Sequence, residues 1–252
     1  MILDTNEYSI IFKSSSDERK KRLEFVDILK NTPIPDNELL MNLGLYLNRQ
    51  LFSRILFMHE LYKKIINVHG VIMEFGVRWG QNLALFEVFR GIYEPYNYTR
   101  KIIGFDTFSG FPSVNKKDGK SVRKGDYSVS ENYEEYLKKV LDYHESENPI
   151  PHIKKSEIVK GDATKTIFEY LEAHPETVIA LAYFDFDLYE PTKVCLEAIR
   201  DRLTKGSIIG FDELNHPQFP GETLAVKEVL GLDKYKIQRS PLNPYVSYIV
   251  IE

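Results

Sequence analysis

From residue 71 onward, five short apolar runs alternate with segments of helical period, and each run ends in glycine or acid. The runs are VIMEFG (71–76), KIIGFD (101–106), SEIVKGD (156–162), VIALAYFD (178–185) and GSIIGFD (206–212). QNLALFEVFRGIY, ENYEEYLKKVLDYH, TIFEYLEAH, EPTKVCLEAIRDRL and ETLAVKEVL follow them in turn, apolar at helix spacing. Strands alternating with helices demand a parallel sheet covered on both faces, a doubly wound α/β arrangement. YKIQRS (235–240) and YVSYIVI (245–251) come last, joined by PLNP. That link is too short for a parallel crossover and predicts an antiparallel hairpin. The expected fold is a seven-stranded, mostly parallel sheet with an antiparallel C-terminal hairpin.

Ahead of the sheet, SSSDERKKRLEFVDILKN opens with helix-capping residues, and residues 39–70 are apolar at helical spacing with a break near Gly44 or Asn48. We expect an N-terminal helical cap over 1–70 and one domain over 71–252. The cap's apolar residues read as packing on the sheet, or else as a homodimer surface or a substrate wall. The polar stretch 107–130 is longer than ordinary connections. Its Phe108, Phe111 and Tyr127 point to a lid that folds over a ligand.

Composition narrows the partners. A net charge of -4 argues against nucleic acid, which calls for an excess of Lys and Arg. No apolar run approaches the roughly 20 residues of a membrane span. MILDTNEYSIIFKSSSDERKKRL lacks the apolar core of a secretory signal. The single cysteine, Cys195, has no internal disulfide partner, so a reducing, cytoplasmic setting is expected. In KVCLEAI it reads as a buried core thiol.

Ligands of doubly wound sheets bind outside the carboxyl ends of the strands. Two groups of residues gather there. Glu74, Gly76, Gly80, Asp106 and Asp162 belong to the first half of the sheet. Their glycines let the backbone turn tightly toward a ligand at a helix N-terminus, and an acid after the second strand can accept ribose hydroxyls. This is the pattern of a nucleoside site; the plain alternative is a tight strand-helix turn. The loop reads G-V-R-W-G rather than G-x-G-x-x-G, and Glu74 would oppose a pyrophosphate. A cationic sulfonium suits it better, which favours S-adenosylmethionine over a dinucleotide.

Asp185, Asp187, Asp212 and Glu213 form the second group, at the ends of two strands expected to be neighbours. In the period of two, Asp185 and Asp187 would point the same way. Three or four hard oxygens together suit Mg²⁺ or a similar ion. The plain alternative is that they cap the following helices.

With these residues in place, the chain resembles the class I S-adenosylmethionine-dependent methyltransferases, and within them the macrocin O-methyltransferase (TylF-type) family of metal-dependent sugar O-methyltransferases. The matching segments are MEFGVRWGQN, IIGFDTFSGFP, VKGDATKT, AYFDFDLYEPTKVCLEAI, LTKGSIIGFDELNHP and the AVKEV helix, over roughly residues 71–230. The resemblance implies a Rossmann-like methyltransferase sheet. It implies cofactor contacts at Glu74, Gly76, Asp106 and Asp162, with Asp162 near the adenine. Arg78, Gly80, Thr107, Ser109, Ala163 and Asp185 join that set as flanking positions. It assigns Asp185, Asp212 and Glu213 to Mg²⁺ and the general base to Asp187. Family members often carry Asp-Asp where this chain has Asp212-Glu213. His216, three residues past that pair, is a rival base or a structural loop histidine. The implied acceptor is a small-molecule sugar, nucleotide-linked or part of a glycoconjugate precursor, for surface polysaccharide or natural-product biosynthesis. Lys116, Lys117, Lys120, Arg123 and Lys124 of the lid would meet its phosphates or else face solvent.

Two readings compete with this one. A nicotinamide-dependent oxidoreductase explains Gly76, Gly80 and Asp106 but leaves the second acid group idle. A non-catalytic interaction protein on the same scaffold would need none of those acids.

Overall fold

The computed structural model describes residues 14–252. Residues 1–13, on which the reading of the N-terminus partly rests, lie outside the described residues.

The central sheet contains β1 (Val71–Phe75), β2 (Ile102–Asp106), β3 (Ser156–Lys160), β4 (Ile179–Phe184), β5 (Leu203–Phe211), β6 (Gln238–Arg239) and β7 (Ser247–Val250). Their order is β3-β2-β1-β4-β5-β7-β6. The first five run parallel, and β7 pairs antiparallel with both β5 and β6. The expected hairpin is thus present, with its second strand lying against the parallel set.

Side chains alternate between two cores, as the strand period requires. Ile72, Ile102, Leu181, Tyr183 and Ile208 face α3 (Arg49–Ile65), α4 (Gln81–Tyr93) and α5 (Tyr133–Ser146). Met73, Ile103, Ala182 and Ile209 face α6 (Ala163–Ala173), α7 (Tyr189–Ile199) and α8 (Pro220–Val229). Each fully buried Ile, Leu or Met among them contributes about 1.5–3 kcal/mol. Cys195 sits in the second core, fully buried.

One rung of the sheet is aromatic across four adjacent strands. Phe105, Phe75, Phe184 and Phe211 are register partners across β2, β1, β4 and β5. Their rings stack at centroid distances of 5.1, 4.7 and 5.8 Å. The residues that follow these rings along the chain are Asp106, Gly76, Asp185 and Asp212 respectively. The buried rung is the floor on which the strand-end residues stand.

The N-terminal region is not uniform. α1 (Ser16–Lys30) begins with a capping box in which Ser15 and Glu18 satisfy one another's backbone N–H groups. Neither α1 nor α2 (Asp36–Leu39) nor the 3-10 turn Leu40–Tyr46 has a buried residue. α3 starts after Asn48, whose side chain accepts from the Leu51 N–H, so the predicted break falls there. This helix belongs to the sheet's own core, through Phe57, Met58, Leu61, Tyr62 and Ile65. Arg100 locks its end in place. Its buried guanidinium donates to the carbonyls of Ile65, Val68 and Gly70 and pairs with Glu94. Carbonyls left open at a helix end are satisfied in this way. The result is that α3 is held firmly against the head of β1.

Candidate active site

A cavity of about 380 Å³ opens above the aromatic rung. Both groups of predicted residues contribute to its wall, one at each end.

At one end β1 runs into the turn 76–80. Gly76 adopts φ +95°, and a Cβ there would stand 2.2 Å from the Asp185 carbonyl oxygen. Only glycine permits the β1 and β4 exits to come so close. Asp106 braces the turn: its Oδ2 accepts from the N–H groups of Val77 (2.7 Å) and Arg78 (2.8 Å), its Oδ1 from Phe108 N–H (2.6 Å). A carboxylate offers about four acceptor sites, so one remains for a ligand hydroxyl. Asp162 caps α6 by accepting from Thr164 N–H at 3.0 Å. Gly76, Arg78, Gly80, Asp106, Thr107, Asp162 and Ala163 all line the cavity.

Two expected cofactor contacts stand elsewhere. Ser109 is not on the wall. Glu74 is buried behind it, because it is an interior residue of β1 and not part of the exit turn. Its Oε1 accepts from Asn82 at 2.7 Å, its Oε2 has no partner, and burial holds its pKa well above the carboxylate range.

The acid end departs from the period-of-two expectation. β4 stops at Phe184, so Asp185 and Asp187 lie beyond the pleat. Asp187 turns through the left-handed region, φ +61°. A non-glycine residue held there marks local strain of the kind found at working sites. The two aspartates share the cavity because the chain turns, not because a strand aligns them.

The second departure is Arg54. This residue of α3 reaches across to the strand ends, with Nη2 2.6 Å from Asp185 Oδ2 and Nη1 2.8 Å from Asp212 Oδ1. Its Nε donates to Asn82 Oδ1 at 3.1 Å. Tyr183 adds a hydroxyl bond to Asp212. Asp185 and Asp212 therefore close on a guanidinium, and among the described residues no three His, Cys, Asp or Glu side chains stand in metal-holding geometry. Glu213 lines the cavity with Oε2 free of hydrogen bonds. His216 is off the wall. Its ring packs against Phe219 and Tyr245, and its Nε2 lies 3.7 Å from Glu213 Oε2. The ring therefore stands beside Glu213, outside the cavity lining.

Burial and mutual repulsion dominate the electrostatics. Burial, then Asp212, carries Asp185 up to about 7 against the pull of Arg54. Burial with Asp185 and Asp212 raises Asp187 well above its usual range, opposed by Arg78 and the Tyr127 hydroxyl. Glu213 is pushed by burial and Asp187 to about 9. Glu222, in the first turn of α8, is fully buried with both oxygens unpartnered, and burial followed by Asp187 raises it too. A first-turn acid in ETLAVKEVL looks like an ordinary dipole partner, so nothing in the sequence marks it.

These shifts have a sign. Above about 4.5 the unfolded chain has shed protons that the folded site still holds, so stability falls as pH rises from there toward about 9. Carboxylates shifted downward, such as Glu94 and Glu228, act only below 4.5. Thermal melts of the EDTA-treated protein should therefore show a declining Tm between these limits. A flat or rising Tm would contradict the raised values.

The segment 107–130 folds down over the cavity. Phe111 N–H donates to the Asp126 carbonyl and its own carbonyl accepts from Gly125 N–H, while Asp118 Oδ1 accepts from Tyr189 N–H at 2.7 Å. Phe111 and Tyr127 face the cavity, while Phe108 joins the sheet core. Arg78 lies 4.7 Å from the Tyr127 ring centroid. None of the five basic segment residues lines the cavity. Lys117 instead pairs with Glu228 at 2.9 Å over the Tyr189 ring, stapling the segment to α7 and α8. The cations that do face the cavity are Arg54 and Arg78.

No family model and no curated protein matches the chain. Solved structures do. The crystal structure of CalS11, a calicheamicin methyltransferase, is 48% identical with a TM-score of 0.92, covering 95% of this chain and 94% of that one. The apo structure of CalS11, a TDP-rhamnose 3'-O-methyltransferase of calicheamicin biosynthesis, is 45% identical with a TM-score of 0.85, covering 95% and 96%. The O-methyltransferase NovP shares the fold at 17% identity and a TM-score of 0.60, covering 79% of each chain. The comparisons lend no support to an oxidoreductase or a non-catalytic scaffold. With its glycine turn and its acid cluster meeting in one cavity, this chain belongs to the family of S-adenosylmethionine-dependent O-methyltransferases that includes CalS11.

Proposed function

We propose that the enzyme moves a methyl group from S-adenosylmethionine to a hydroxyl of a nucleotide-linked sugar. The observation that carries this reading is the single cavity joining the Gly76–Asp106–Asp162 end to the Asp187 end. The likeness to a TDP-rhamnose 3'-O-methyltransferase supports the acceptor class.

The cofactor lies at the glycine turn, its ribose at Asp106 and its adenine toward Asp162. The acceptor hydroxyl stands between its methyl carbon and Asp187. The hydroxyl oxygen attacks that carbon, the carbon–sulfur bond breaks toward sulfur, and Asp187 takes the hydroxyl proton. Burial, with Asp185 and Asp212, raises Asp187 well above its usual range, so it serves as base once ionised, and in that form it is a stronger base than a carboxylate in water. Phe111 and Tyr127 exclude water from above, and Arg78 offers a charge for a phosphate. We read segment 107–130 as the lid and the helices before residue 70 as shaping the acceptor side.

The acid end fits Mg²⁺ in kind. Its donors are hard oxygens, Glu213 Oε2 makes no hydrogen bond, and a cationic group already stands on Asp185 and Asp212. Asp185, Asp212 and Glu213 would hold the ion, and the chemistry it supplies is Lewis acidity that lowers the pKa of the acceptor hydroxyl.

The test is incubation with TDP-rhamnose and ¹³C-methyl-labelled S-adenosylmethionine, read by NMR. We expect one labelled methyl ether on the sugar. Labelling of simple phenols but of no nucleotide sugar would sink the reading. EDTA should cut the rate at least about tenfold, with recovery on adding Mg²⁺; an EDTA-insensitive rate removes the metal from the proposal.

A further inference from the structure

We propose that Arg54 is an exchangeable counter-ion of the Asp185–Asp212 pair, which a divalent cation must displace, so that this arginine sets the cation affinity of the resting enzyme. The inference rests on the metal reading above and concerns a residue outside every predicted site.

The geometry is that of a built site. Two separate guanidinium nitrogens engage two separate carboxylates, at 2.6 and 2.8 Å, so the fork spans the pair. The third nitrogen group is fixed by buried Asn82, which also donates to Glu74. α3 itself is anchored by Phe57, Met58 and the Arg100 staple. The guanidinium is therefore delivered to the strand ends by a rigid element.

Mutual exclusion follows from distance and charge. Mg²⁺ takes oxygens at about 2.0–2.1 Å, and an ion held by both carboxylates would stand beside the oxygens that Arg54 engages, Asp185 Oδ2 and Asp212 Oδ1. Asp187 and Glu213 border the same cavity and add hard oxygens that Arg54 does not engage. A divalent ion brings twice the charge in less space, and exchange is favoured once it is available. Repulsion between guanidinium and cation opposes their joint occupancy.

The test is Mn²⁺ binding to the cofactor-free enzyme, read from the free-ion signal in electron paramagnetic resonance. Arg54→Gln should bind Mn²⁺ at least about tenfold more tightly than wild type, a difference of about 1.4 kcal/mol. Wild-type binding with equal or weaker binding by the variant overturns the inference and leaves the metal reading standing. Binding by neither protein removes the metal reading and this inference with it. Should Arg54→Gln fail to fold, the side-chain ¹⁵Nε resonance of Arg54 in wild type, assigned with Arg54→Lys, decides the matter. A shift on saturating with Mg²⁺ supports exchange; an unmoved resonance alongside measured Mn²⁺ binding rejects it.

Discussion

Asp187→Asn should lower kcat by about 10²- to 10⁴-fold, the usual worth of a positioned general base. Asparagine keeps the shape and tolerates the left-handed φ of +61° at this position, so the turn survives. The cofactor end does not involve the Asp187 side chain, and S-adenosylhomocysteine affinity measured by calorimetry should stay within about threefold of wild type. Above the usual aspartate value of 3.8 stability should rise, because the burial that disfavours this carboxylate, and its repulsion by Asp185 and Asp212, no longer act. Loss of both binding and turnover would point to a damaged turn. Full turnover would take the base role away from Asp187.

Gly76→Ala should harm fold and site together. A left-handed alanine costs about 1–2 kcal/mol, and overpacking a close contact about 1–3 more. At 2.2 Å the neighbour is the Asp185 backbone carbonyl, which has no side-chain freedom with which to yield. We expect Tm to fall by roughly 10 °C, and cofactor affinity to drop with it. Gly44→Ala serves as the control, since a Cβ there meets nothing within 4 Å. Equal Tm values for the two variants would show that the β1 and β4 exits separate without cost.

Much of this molecule was legible in its sequence, for identifiable reasons. The five strand-helix units pair short continuous apolar runs with segments of period 3.6, and the sheet edge that binds ligands follows from their topology. Asp106, Asp162, Asp185, Asp187, Asp212 and Glu213 reached one cavity on that logic. Arg54 did not announce itself: the second of two arginines within RQLFSRILFMHELYKKI looks like part of a solvated face until the helix is docked. Glu74 shows the reverse failure. A position two residues ahead of a glycine turn suggests a ligand contact, yet the strand carries it behind the wall. The basic residues between 116 and 124 suggested phosphate binding, but charge alone cannot say which way a loop folds. Asp187 was reached for a reason the structure corrects, because a strand ending at Phe184 cannot be told from FDFD alone.

The four stacked phenylalanines have a consequence for how this enzyme can change. Because each ring precedes a site residue by one position, they set a common height for Gly76, Asp106, Asp185 and Asp212. A register slip by any one strand would break its ring contacts and misplace its site residue in the same event, so errors of alignment are penalised twice. New acceptor preferences can therefore arise in α3 and the segment 107–130, which touch the cavity from outside the sheet. The strands themselves are a fixed gauge against which such variation is measured.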